Sequence, residues 1–121
     1  MFLATSNKNK RLLCVTYAGV VNPEQLAAGR AELTPLLAEL PPGFRVLVNL
    51  SQLETMDIEC QAEIGLQMEA FDRAGVSLIV RVIPDESKDI GLNILTVFHY
   101  SRHPQVATCR NLTEAAGVLA L

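Results

Sequence analysis

Three small groups of residues could carry chemistry. Cys60 ends the run Asp57-Ile58-Glu59-Cys60, where an apolar periodic stretch begins. A thiol in the first turn of a helix faces unpaired amide N–H groups and the positive end of the helix dipole, and both favour the thiolate. Asp57 and Glu59 act in the opposite direction, and helical spacing places Cys60 in line with Ile64, Met68 and Phe71, the stripe that must face a core. The thiol is therefore read as buried and inert. His99 and His103 have the i,i+4 spacing of a zinc pair, but Pro104 argues against a helix that continues through His103, and neither an HExxH context nor a third ligand accompanies them. His99 is read as a surface residue, and no metal or cofactor is expected. Glu59 and Glu63 stand one turn apart, and such a pair does acid-base work only where burial drives the two pKa values apart. At the exposed start of a helix they favour the dipole instead.

The elements that position these groups follow from the pattern. Phe2 to Thr5 and Leu12 to Tyr17 are β-compatible stretches joined by a polar turn, which predicts a hairpin, and Gly19 closes the second strand. Asn22, Pro23 and Gln25 combine a cap, a first-turn proline and a capping-box partner at the start of a first helix. Pro35 lacks an N–H and crowds the carbonyl four residues back, so a kink or break is expected near Ala31. Phe44 to Leu50 reads as a central strand, apolar on much of both faces. Asp57 is expected to cap a second helix running from about Ile58 to Ala74, closed by Gly75. Val76 to Ile83 is a further strand halted by Pro84, and Asp85 to Tyr100 has the spacing of a third helix. A short strand at Gln105 to Cys109 and a last helix at Leu112 to Leu121, capped by Asn111, complete the order β-β-α-β-α-β-α-β-α. Alternating helices and strands after a hairpin call for one α/β domain over residues 1–121, with a mixed, mostly parallel sheet of about five strands and about four helices.

Composition narrows the partners. Half the residues are hydrophobic and 19% charged, a globular balance, and the net charge of −3 with scattered basic residues offers no phosphate-backbone footprint. Nucleic acid is not expected as a partner. No run approaches the roughly 20 apolar residues that a spanning helix needs, and no signal-peptide core follows Met1, so neither membrane insertion nor export is expected. Cys14, Cys60 and Cys109 are odd in number and widely spaced, which suits a reducing cytoplasm. No strand is followed by GxGxxG or GxxxxGK, so the usual nucleotide-binding turns are absent.

The stretch Val48-Asn49-Leu50-Ser51-Gln52-Leu53-Glu54-Thr55-Met56-Asp57-Ile58-Glu59-Cys60 resembles the signature of STAS domains, the family of anti-sigma-factor antagonists. In that family a strand ends in Asp-Leu-Ser, and an apolar residue with Asp-Ser-Ser/Thr-Gly then opens a helix. Leu50, Ser51, Leu53, Met56 and Asp57 are in register with it, as are Gly19 and the junction Ala74-Gly75-Val76. The resemblance implies a STAS-like fold and a non-enzymatic regulatory or scaffold module that binds a protein, such as an anti-sigma-factor-like or other regulatory protein, through its second helix. It also implies a phosphorylatable serine just after the aspartate, but here those places hold Ile58 and Glu59, with Cys60 at the glycine, and Asn49 replaces the acidic residue at the strand end. No hydroxyl is present there to phosphorylate. Glu59 carries less charge and fewer acceptor oxygens than a phosphate and would imitate the phosphorylated form weakly.

Apolar excess points to the same helix. Ala62, Leu66 and Ala70 lie opposite the core stripe, and on the third helix Ile90, Ile94 and Phe98 form one face while Leu92, Leu95 and His99 form another. Helices apolar on two sides are either packed under another layer, here the C-terminal helix, or used at an interface, with a partner or in a homodimer. Asp57, Ile58, Glu59, Ala62, Glu63, Leu66 and Ala70 are the candidate partner-binding residues. Two other functions compete with this one. A small-ligand or lipid carrier would open an apolar pocket between helix and sheet, and a cofactor-free enzyme would need Cys60 or the glutamates.

Overall fold

Local signals set the first helix. In the computed structural model, which describes residues 1–83 and 85–121 and only the backbone of 86–90, the Asn22 side chain accepts the Gln25 N–H at 2.9 Å and the Gln25 side chain accepts the Asn22 N–H. This reciprocal box opens α1 (Pro23–Glu39). The expected break near Ala31 does not occur, and α1 runs unbroken through Pro35. Both Pro35 and Ala31 are exposed, so the carbonyl that loses its helical partner can turn to water.

Antiparallel β1 (Phe2–Asn7) and β2 (Leu12–Tyr17) form the expected hairpin. To β2 the chain adds β4 (Arg45–Asn49), β6 (Leu78–Val82) and β7 (Gln105–Cys109), all parallel, in the order β1-β2-β4-β6-β7. Each crossover steps the same way across the sheet, and right-handed connections that never reverse must leave their helices on one face. Accordingly α1, α2 (Gln61–Ala74) and α3 (Glu86–His99) share one side with the larger core, built on Leu13, Val15, Val46, Ile79 and Phe71. The short α4 (Leu112–Leu119) covers Leu12, Val80 and Val82 on the other side. Strand order that never reverses also leaves no crevice of the kind that holds nucleotides in doubly wound sheets.

Two elements were not expected from the sequence. β3 (Gly19–Val21) and β5 (Leu53–Met56) pair as a separate parallel ribbon beyond the ends of β2 and β4. Gly19 does not merely end a strand; its φ of +67° turns the chain out of the main sheet into this ribbon. The placement of α4 settles a second point, because Leu92 and Leu95 pack into the larger core and not under the C-terminal helix. Pro84, expected to halt a strand, and the side chain of Ile90 lie outside the described residues.

Candidate protein-binding surface

The segment that follows β4 is built by short-range polar contacts. Asn49 Oδ1 accepts the Ser51 N–H at 3.0 Å and the Ser51 hydroxyl at 2.7 Å, and the Leu50 carbonyl accepts the Leu53 N–H at 3.2 Å. A neutral Asn at the strand end thus closes the turn by itself. The Gln52 carbonyl accepts the Gly19 N–H at 2.9 Å, which docks β5 on β3 and delivers Met56 and Asp57 to the mouth of α2.

Asp57 does not cap as expected. A single 3-10 turn over Ile58–Cys60 precedes α2, the Asp57 side chain makes no capping hydrogen bond, and the Asp57 backbone carbonyl accepts the Cys60 N–H at 2.9 Å. The tight turn separates the exposed carboxylate from the helical amides that a cap would satisfy. Cys60 is fully buried and donates its S–H to the Val21 carbonyl at 3.6 Å. Burial, reinforced by the charge of Asp57, pushes its thiol up from the ordinary range, so it presents no accessible nucleophile.

Along α2 the candidate residues separate. Asp57, Ile58, Glu59, Ala62 and Leu66 reach the open surface, while Ala70 is half-buried. Glu63 does not stand free beside Glu59. Its carboxylate pairs with Arg30 of α1 at 3.1 Å and is largely covered. Gln67, expected neither in the core nor at the site, is buried, accepts the Tyr17 hydroxyl and donates to the Leu26 carbonyl at 3.3 Å, tying α2 to β2 and α1.

The α2–α3 contact explains where His99 goes. It is not a free surface residue. Its ring packs against Gly65, where an added Cβ would lie 2.5 Å from Nε2, and its Nδ1 is 3.5 Å from Glu69 Oε2. Glycine at this crossing lets the two helices approach. His103 lies in the loop after α3 with φ +53°, so the i,i+4 relation to His99 does not hold in space. Among the described residues no three His, Cys, Asp or Glu side chains gather as a metal site. That loop is fastened by Asp72, whose buried carboxylate accepts the Ser101 hydroxyl at 2.8 Å and the Ser101 and Arg102 N–H groups at 3.3 Å.

Beside the Gly65–His99 contact both helices, and the turn that precedes α2, expose large apolar side chains. Ile58 is 78% exposed, Leu66 39%, Ile94 55%, Val97 76% and Phe98 78%. Ile94 and Phe98 were visible in the sequence as a second face of the third helix, whereas Val97, one position from Phe98, joins them only in the folded helix. Between α3 and the start of α2 runs a cleft of about 250 Å³, with Asp57, Ile58 and Gln61 at its edge and Leu53, Leu92 and Leu95 in its wall.

No protein-family model matches the chain, and no curated protein sequence does. Solved structures do. The anti-sigma factor antagonist SpoIIAA in its unphosphorylated form superposes with a TM-score of 0.68 at 12% identity, over 99% of this chain and 98% of that one. A Shewanella loihica protein described as having a SpoIIAA-like fold gives 0.73 at 11%, covering 98% and 92%. An anti-sigma factor antagonist from Mycobacterium paratuberculosis gives 0.60 at 16%, covering 100% and 94%. The chain has the SpoIIAA-like, STAS-type fold that its signature segment implied.

Proposed function

We propose that this STAS-like chain is a non-enzymatic regulatory or scaffold module of the cytoplasm that binds another protein through the outward surface of α2 and α3, without a serine phospho-switch at the head of α2. The observation that carries the reading is the exposure of Ile58, Leu66, Ile94, Val97 and Phe98 on the adjoining α2, α3 and the turn that precedes α2. Exposed apolar side chains concentrated on adjoining elements mark interaction surfaces more than chance does. The partner class, an anti-sigma-factor-like or other regulatory protein, draws support from the fold shared with SpoIIAA and the Mycobacterium antagonist. Asp57 and Glu59 give the apolar surface an acidic border, which suits a partner with basic residues around an apolar centre. At the position after Asp57, Ile58 offers no oxygen for esterification, so occupancy of this surface is set by partner concentration and not by a phosphate there.

The test is retention of a defined partner by the wild-type chain and by Ile58→Glu. The side chain is mostly in water, so the fold is expected to survive, while a carboxylate at the contact would have to be desolvated and should release the partner. Retention by the folded variant would remove the head of α2 from the binding surface.

A further inference from the structure

Gly91 and Phe98 stand on one stripe of α3 and are opposites in shape. Leu92 and Leu95 pack into the larger core, and Asn93 Oδ1 and the Thr96 hydroxyl accept from Arg81 of β6, which fixes the inward side of the helix. Gly91, Ile94 and Phe98, at i, i+3 and i+7, therefore share the outward side. The Phe98 ring is 78% exposed and Ile94 55%, with Val97 at 76% beside them. Gly91 leaves a gap. A Cβ there meets no atom among the described residues within 4 Å, and the residue lines the cleft of about 250 Å³ together with Ile58. An apolar cavity of roughly 150 Å³ is enough to take a benzene ring. One helix thus carries both a protruding ring and an apolar recess, seven residues or about 10.5 Å apart.

We propose that the occupant of the α3 part of the apolar surface is a second copy of this chain, held in a two-fold dimer by antiparallel packing of α3 on α3. The dimer rests on the protein-binding surface assigned above and names what covers it along this helix. A two-fold axis that meets α3 between Ile94 and Leu95, midway between ring and recess, sets Phe98 of each copy over Gly91 of the other in one operation. That is the self-complementarity an isologous contact requires; a ring and a recess on unrelated faces would build an open chain instead. Charge follows the same symmetry. At the N-terminal end of α3 the sequence holds Asp85, Glu86 and Asp89 against Lys88, while Arg102 is exposed just beyond the C-terminal end. Antiparallel packing brings the acidic end of each helix to the basic end of the other, whereas parallel packing would set like charges together. Ile58, Ile94, Val97 and Phe98 offer roughly 500 Å² of exposed surface per copy, so a dimer that covers them buries about 1,000 Å², the lower bound of a specific interface, and its dissociation constant is expected in the micromolar range.

The experiment is sedimentation equilibrium of the full chain up to about 500 µM, where a micromolar dimer must populate. A monomer–dimer equilibrium is expected; a chain that stays monomeric, or that forms an open series of larger species, overturns the proposal. Phe98→Ser removes the ring and Gly91→Leu fills the recess, and neither touches the core, so both variants should fold by circular dichroism and each should weaken the dimer at least tenfold. Unchanged association in either folded variant overturns the contact. The axis is read by cross-linking single-cysteine variants with a bismaleimide of about 10 Å span, the distance between packed helices. The wild type, whose own cysteines are buried or half-buried, is the blank. Ile94→Cys lies beside the axis and should cross-link to its equivalent, whereas two Arg102→Cys thiols lie about 20 Å apart and should not. Failure to cross-link at position 94, or equal cross-linking at 102, overturns the antiparallel arrangement. A monomeric chain that still releases a retained partner on Ile58→Glu loses only the dimer, and a dimeric chain whose Ile58→Glu variant keeps that partner loses only the function proposed above.

Discussion

Replacement of Phe98 by serine separates surface from core in one variant. The ring is 78% exposed, so of the roughly 200 Å² that a buried aromatic side chain contributes, about a fifth, or ~40 Å², is withdrawn from water in the free protein. At about 25 cal/mol per Å² the stability at stake is ~1 kcal/mol. The remaining ~150 Å² would be covered by a partner, and the same coefficient sets a ceiling of about 4 kcal/mol, of which an aromatic at the centre of an interface typically retains 2 or more. Phe98→Ser should therefore shift the urea midpoint slightly while weakening a defined partner by about 30-fold or more. Phe71→Ala is the matched control, since that ring is buried in the larger core and its truncation should cost about 3–5 kcal/mol. Denaturant titration and a quantitative binding assay on the same preparations give both numbers. A stability loss for Phe98→Ser as large as that for Phe71→Ala would refute the exposed placement, and a stable variant that binds as the wild type does would refute the surface.

Asn22→Ala should cost about 1 kcal/mol because it breaks the capping box, whereas Asp57→Ala should stay within about 0.5 kcal/mol because that side chain caps nothing; comparable losses in denaturant titrations would contradict the 3-10 turn at the head of α2. Asp72→Ala should cost about 1–3 kcal/mol, since it leaves the Ser101 hydroxyl and two amides unpaired, and should raise hydrogen exchange in the loop after α3 before it affects α1. Cys60 should resist alkylation in the native state at neutral pH and react only on unfolding, because its raised thiol pKa leaves less thiolate below that value; rapid native labelling at pH 7 would restore the nucleophile. A kinase that phosphorylates serine-bearing antagonists should leave Ile58 to Cys60 unlabelled, and phosphate mapped to exposed Thr55 in β5 would show that the switch moved and was not lost.

The sequence alone determined the parts that depend on neighbours along the chain. Asn22 with Gln25, Asn111, and Gly75 after α2 act on backbone groups a few residues away, so the helix ends they mark were legible. The hairpin and the parallel order followed from alternation and connection length, and the segment Val48 to Cys60 carried its resemblance in residue types. Tertiary structure decided what depends on distant partners. Whether Asp57 caps hinges on how β5 docks on β3, 30-odd residues away in the chain, and that pairing has no local signal. Glu63 is committed to Arg30, and His99 to the gap over Gly65, by the packing of helices side by side. The apolar residues of α3 were visible as two faces, but only the sheet order, with α4 sent to the opposite side, decides which face is covered. Periodicity reports that a face is apolar; the layer placed over it, which the local pattern does not encode, decides whether that face becomes core or contact.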